Sequence, residues 1–149
     1  MNQRLAEILL FVLVAINAAL LLFIAGVLRK VMNDMDEPAF HRFVGSLYRH
    51  SSRSPFMLTV LNLPFFGSLP YFYFYGFKNP WITSGLALWF VAGCIAKIIK
   101  VRVYKRAAEP PTDDAAGLKG ERRRLYFGNT LQAILNLAAT VLMTVAFIK

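Results

Sequence analysis

The chain has 149 residues, 57% of them hydrophobic, and carries a net charge of +9. That apolar content excludes an ordinary water-soluble domain built around one core. The single cysteine, Cys94, excludes an internal disulfide framework.

Four long apolar runs divide the sequence. Residues 8–28, 56–77 and 125–148 contain no Asp, Glu, Lys or Arg, and 80–99 contains only Lys97. Each run is close to the ~20 apolar residues that a helix needs to cross a bilayer core about 30 Å thick. A backbone in lipid has no water to bond with, so spans must be helices or a closed barrel. Continuous runs, rather than alternating apolar and polar positions, exclude the barrel. The expected fold is therefore all-α: an integral membrane four-helix bundle of up-down topology, forming a single domain over 1–149.

In chain order, the first run ends at Arg29-Lys30, which marks a retained helix rather than a signal peptide. Asn33-Asp34-Met35-Asp36-Glu37-Pro38 follows as a helix-start signature, with Asp36 as N-cap. Apolar residues then recur at Phe40, Phe43, Val44, Leu47 and Tyr48. This spacing predicts a short amphipathic helix over 36–50, lying at the interface or folded against the bundle mouth. The second run carries Asn62, Pro64, Gly67, Ser68 and Pro70, so kinks are expected near both prolines. Tyr71-Phe72-Tyr73-Phe74-Tyr75 and Trp81 read as an aromatic belt at the outer interface. The third run has Gly85, Ala92, Gly93 and Ala96, small residues that permit close helix approach. Residues 107–120, with Pro110-Pro111 and Asp113-Asp114, read as a mobile loop before the fourth run.

Basic residues fall in alternate gaps. Arg29, Lys30, Arg42, Arg49 and Arg53 flank or occupy the first. Lys97, Lys100, Arg102, Lys105, Arg106, Lys119, Arg122, Arg123 and Arg124 flank or occupy the third. The positive-inside rule then places both large loops in the cytoplasm and both termini outside, in the periplasm of a bacterial inner membrane. Charge at a membrane edge points to anionic lipid headgroups as partners, not to nucleic acid.

The four runs hold no acidic residue and no histidine, which argues against proton relays, ion-coupled pumps and haem sites. His41 and His50 are nine residues apart and would point to opposite faces of one helix, so neither a metal nor a cofactor is expected. No phosphate-cradling glycine loop or nucleophile elbow is present. What the runs do contain is uncharged polarity. Asn129, Gln132, Asn136 and Thr140 form one narrow stripe on the fourth. Asn62 and Gln132 lie about 10 Å deep from the cytoplasmic side, and Asn17 and Asn136 about 16 Å, at 1.5 Å rise per residue. Trp89 falls near the deeper layer.

Such amides commonly serve as interhelical glue. The functional reading is a cytoplasm-facing pocket for a small amphipathic or aromatic ligand. Asn17, Asn62, Asn129, Gln132 and Asn136 would orient that ligand, and Trp89 and Phe66 would stack on it. Arg42, Arg49 and Arg124 at the pocket mouth would attract an anionic or phenolic group.

Asp36-Glu37-Pro38-Ala39-Phe40-His41-Arg42-Phe43, Arg53-Ser54-Pro55-Phe56 and the opening of the fourth run at Arg124, Tyr126, Asn129 and Gln132 together resemble the anthrone-oxygenase-like family of small four-helix membrane proteins. In that family an aromatic residue, an asparagine and an arginine open the last helix. Tyr126 and Asn129 fill the first two places, and Gln132 stands where the arginine would be. Some members of that family are implicated in cofactor-independent oxygenation of polyketide phenols, and the resemblance implies an aromatic substrate for the polar pocket. Two alternatives stand beside it: an accessory subunit of a larger membrane complex, and a small-molecule transporter working as a homo-oligomer.

Overall fold

The computed structural model describes residues 2–107 and 115–148, all of whose regular structure is helical. Helix α1 (Gln3–Asn33) starts at an Asn2 cap, whose side chain accepts the Arg4 N–H. It is α-helical to Phe23, relaxes into a π-helical turn at Ile24–Leu28, and resumes at Arg29. Helix α2 (Glu37–Arg53) is capped by Asp36, whose carboxylate takes the Ala39 N–H at 2.7 Å, with Pro38 in its first turn. It runs three residues beyond the predicted end. Ser54 then stops α2 and caps α3 (Pro55–Tyr75) through a hydroxyl that accepts the Met57 N–H. Gly76, at φ 64°, makes the turn that a side chain would strain. Asn79 caps α4 (Pro80–Ala107) by accepting from the Trp81 and Ile82 N–H groups. Helix α5 covers Ala115–Ile148.

Among the described residues, three helices are long and apolar enough to cross a membrane: α1, α4, and Lys119–Ile148 of α5. Four such runs were expected. The shortfall is α3, where Asn62, two prolines and the tyrosines dilute the apolar residues. At 1.5 Å per residue, the 28 residues of α4 extend ~42 Å and the 34 of α5 ~51 Å, well beyond a ~30 Å hydrocarbon core. Their basic ends therefore continue as helix past the apolar part, which corrects the expected loop over 107–120. Ala107 closes α4 and residues 115–120 are already helical. Residues 108–114, with the Pro110-Pro111 and Asp113-Asp114 pairs, lie outside the described residues.

Helices α4 and α5 run antiparallel in close contact. A Cβ on Gly85 would collide with the Met143 side chain and come within 3.0 Å of the Ala139 carbonyl, so the backbones approach here only because Gly85 has none. Helix α1 lies antiparallel to α5, with Phe11 edge-on to Phe147 at one end and Arg29 over Tyr126 at the other. Helix α3 lies antiparallel to α1 through Val60 beside Asn17, Gly67 beside Leu10, and Tyr71 beside Glu7. One core, including Leu10, Val14, Tyr71, Ile82, Leu86, Ala139 and Met143, fills the middle and one end of the bundle. A second, of Met32, Phe40, Val44, Val103, Ala107 and Leu125, joins α2 to the basic ends. Of the two places foreseen for the amphipathic helix, α2 therefore takes the one against the bundle.

The helix assignment of α3 is continuous through both prolines. Pro64 has no N–H for the carbonyl four residues earlier, that of Val60. Asn17 replaces it from the neighbouring helix: its Nδ2 donates to the Val60 oxygen at 3.0 Å and to Leu13 O at 3.1 Å. The aromatic belt is only partly as expected. Tyr73 and Phe74 face outward, but Tyr71 is buried against α1.

Candidate functional site

The most unusual group at the border of the apolar part is Lys100. It is 9% exposed and continues the buried stripe of α4 that runs through Gly85, Ala92 and Ala96 to Val103 and Ala107. Gly128 of α5 makes room for its stem, since a Cβ there would stand 2.8 Å from Lys100 Cγ and 3.1 Å from Ile99 Cγ2. The ammonium then reaches two amide oxygens spaced i, i+3 on α5. It donates to Asn129 Oδ1 at 3.1 Å and to Gln132 Oε1 at 2.6 Å. One turn deeper, Asn136 is 1% exposed. Its Nδ2 donates to the Gln132 carbonyl, while its Oδ1 is buried without a partner. Thr140 and Thr144 donate to carbonyls four residues back and continue the stripe toward the far end.

Amide oxygens satisfy the donors of an ammonium but do not neutralise its charge. No ion pair among the described residues includes Lys100. Two carboxylates are buried among the described residues: Glu121, 7% exposed and paired with Arg106, and Glu7, 7% exposed, whose Oε1 accepts from Gln3 Nε2 and Tyr71 Oη, each at 3.0 Å. Helix registers put Glu7 at the opposite end of α1 from Arg29, roughly 33 Å along the axis at 1.5 Å per residue. Arg29 in turn sits over Tyr126, one turn from the level of Asn129. Glu7 and Lys100 are thus too far apart to compensate each other.

The residues expected to form a pocket separate into groups. Asn129 and Gln132 meet at Lys100, and Asn136 lies one turn deeper on the same stripe. Asn17 is buried on α1, committed to the proline-orphaned carbonyl of α3. Asn62 is exposed and bonds its own helix at Leu58 O, and Phe66 is 62% exposed. Trp89 lies with Phe65, Phe72, Phe90 and Thr83 in a separate cleft of about 310 Å³ between α3 and α4. The three expected mouth residues do not meet: Arg42 and Arg49 lie on the exposed face of α2, and Arg124 on that of α5.

At the basic end the contacts are dense. Arg122 donates to the Met35 and Asp36 carbonyls, pairs with Glu37 at 3.4 Å, and lies 4.4 Å over the Phe40 ring. Arg106 pairs with Glu121 at 2.9 Å, and Tyr48 stacks on Tyr104. His41 Nε2 donates to the Arg106 carbonyl and His50 Nδ1 to that of Ser46, so both rings bond backbone. No group of three or more His, Cys, Asp or Glu among the described residues could hold a metal ion.

No family model, curated protein or solved structure matches this chain. What the chain can do therefore rests on its own chemistry.

Sequence reasoning missed Lys100 and Glu7 for one reason: both lie just outside the apolar runs, at 99/100 and 7/8, where composition changes but the helix does not. The small-residue stripe held the signal for Lys100, because Ala92 and Ala96 extended by four residues reach it.

Proposed function

We propose that this is a four-span membrane protein that binds a small anionic or phenolic amphiphile at Lys100, between α4 and α5. The observation that carries the reading is the buried ammonium with amide oxygens on two sides and no carboxylate. A buried charge without a counter-charge is costly, and an ionisable residue within a membrane bundle points to a ligand or a transported group. A carboxylate or phenolate oxygen would complete the neutralisation. Asn129 and Gln132 would fix the ammonium, and Asn136, one turn deeper, has an unused acceptor for a hydroxyl on the same molecule.

The fourth span in this reading is α3. Its partners on α1 are Glu7, Leu10 and Asn17, all within the stretch of α1 suited to cross a membrane, so α3 occupies the same depths. The alternating directions of α1, α3, α4 and α5 then put both basic segments on one side, which by the positive-inside rule is the cytoplasm of a bacterial inner membrane.

The same reading extends to the anthrone-oxygenase-like resemblance, from whose pattern Gln132 departs. Where those proteins would have an arginine, Gln132 accepts from Lys100, so a cation reaches that place from the neighbouring helix. A cation beside a phenol favours the phenolate, the electron-rich form that oxygenation requires.

The test is native mass spectrometry of protein extracted in mild detergent, with bound small molecules identified after release. Lys100→Met keeps the stem and removes the charge, and Asn136→Leu removes the unused acceptor. Wild-type protein should retain an acidic or phenolic amphiphile that Lys100→Met loses. Identical bound species in wild type and both variants would remove the assignment and leave the amides as helix–helix contacts of an accessory subunit.

A further inference from the structure

A second face of α5 carries a different feature. Arg29 at the end of α1 and Lys119, Arg123, Tyr126, Phe127 and Thr130 of α5 line a cleft of about 440 Å³. Lys119, Arg123, Tyr126 and Thr130 follow i, i+4, i+7, i+11, one helical stripe beside the one that holds Asn129 and Gln132. Arg122 also borders the cleft, but its guanidinium is engaged by Glu37 and the Met35 and Asp36 carbonyls. The remaining three cations have no ion-pair partner among the described residues, and none of the residues lining the cleft is acidic. Arg29 lies 5.1 Å over the Tyr126 ring, and the Tyr126 hydroxyl is buried without a hydrogen-bond partner.

We infer that this cleft holds the phosphate of an anionic membrane lipid. Three cations line one concave site together with Tyr126 and Thr130, and that excess of positive charge is what a phosphodiester with its negative charge requires. Lipid rather than a soluble phosphate is indicated by what borders the charges. Phe127 is 60% exposed at the edge of the cleft, and Ile134, seven residues on along the same stripe of α5, is 57% exposed. The headgroup would bind the cations while its acyl chains run along these residues toward the apolar part of α1 and α5. The site shares no ligand-contacting residue with Lys100 and stands whether or not that site binds an amphiphile.

The experiment compares lipid retention in nanodiscs made of phosphatidylglycerol and phosphatidylcholine, followed by detergent delipidation and native mass spectrometry. Wild type should keep phosphatidylglycerol selectively. Arg29→Gln with Arg123→Gln should lower that retention about thirtyfold, from the contribution expected of two basic residues at an anionic surface. Arg42→Gln with Arg49→Gln removes the same charge from the exposed face of α2 and should leave retention unchanged. Equal losses in the two double variants would mean diffuse attraction and overturn the site. Displacement of the lipid by millimolar inorganic phosphate would overturn the lipid assignment in favour of a soluble phosphate.

Discussion

The link between Asn17 and Pro64 lends itself to a quantitative test. Asn17→Leu removes the side chain that bonds Val60 O, and Pro64 ensures that α3 cannot supply a substitute. The Leu13 carbonyl keeps its own backbone partner, the Asn17 N–H, so the loss falls on Val60. Leaving a buried acceptor unpaired costs about 1–3 kcal/mol, and interhelical hydrogen bonds in membranes average about 0.6 and reach about 1.7 kcal/mol. The expected loss is therefore about 1–2 kcal/mol. Pro64→Ala restores an N–H at the position that bonds Val60, so in that background Asn17→Leu should cost no more than about 0.5 kcal/mol. Reversible unfolding in mixed dodecyl maltoside and SDS micelles, followed by the fluorescence of Trp81 and Trp89, gives all four corners of the cycle. Equal costs of Asn17→Leu in both backgrounds would refute the idea that Asn17 compensates for the proline.

The same assay reaches other parts of the bundle. Gly85→Leu should destabilise by at least about 1–3 kcal/mol, because its side chain has to displace Met143 and the α5 backbone at Ala139. Glu7→Gln keeps an acceptor for Tyr71 and Gln3 and should be nearly neutral, whereas Glu7→Leu orphans both donors and should cost about 1–3 kcal/mol. Similar values for the two would show that the Tyr71 hydroxyl does not depend on this acceptor. Gly76→Ala forces a side chain into φ 64°, ψ −153° and should cost about 1–3 kcal/mol, read as a lowered unfolding midpoint.

Much of the fold is written in local patterns. The cap at Asp36, the period of Phe40 and Val44, and the apolar lengths of the first, third and fourth runs each follow from residues a few positions apart. What could not be read that way depends on neighbours. Tyr71 looks like its neighbours Tyr73 and Tyr75 in sequence, and only the Glu7 carboxylate on another helix draws it inward. Asn62 and Asn17 have the same side chain inside the same kind of run, yet one faces outward and the other serves a proline on α3. The π-helical turn at Ile24–Leu28 has no sequence signature beyond Gly26. Lys100 carries the opposite lesson: composition assigned it to a basic flank, and the helical stripe of α4 turned it inward.

The dependence of α3 on α1 also bears on how the chain enters a membrane. On the four-span reading, α3 is the least apolar span, and one of its carbonyls has no donor until α1 is alongside. Inserted alone, it would present that carbonyl to lipid, and Tyr71 would lack the carboxylate that accepts its hydrogen bond. Helix α1 is made first and already displays Asn17 and Glu7, ten residues apart along the stretch that α3 will occupy. The second helix to cross would then be held by the first rather than by its own hydropathy, and an α1 lacking both side chains should let α3 slip back out during synthesis.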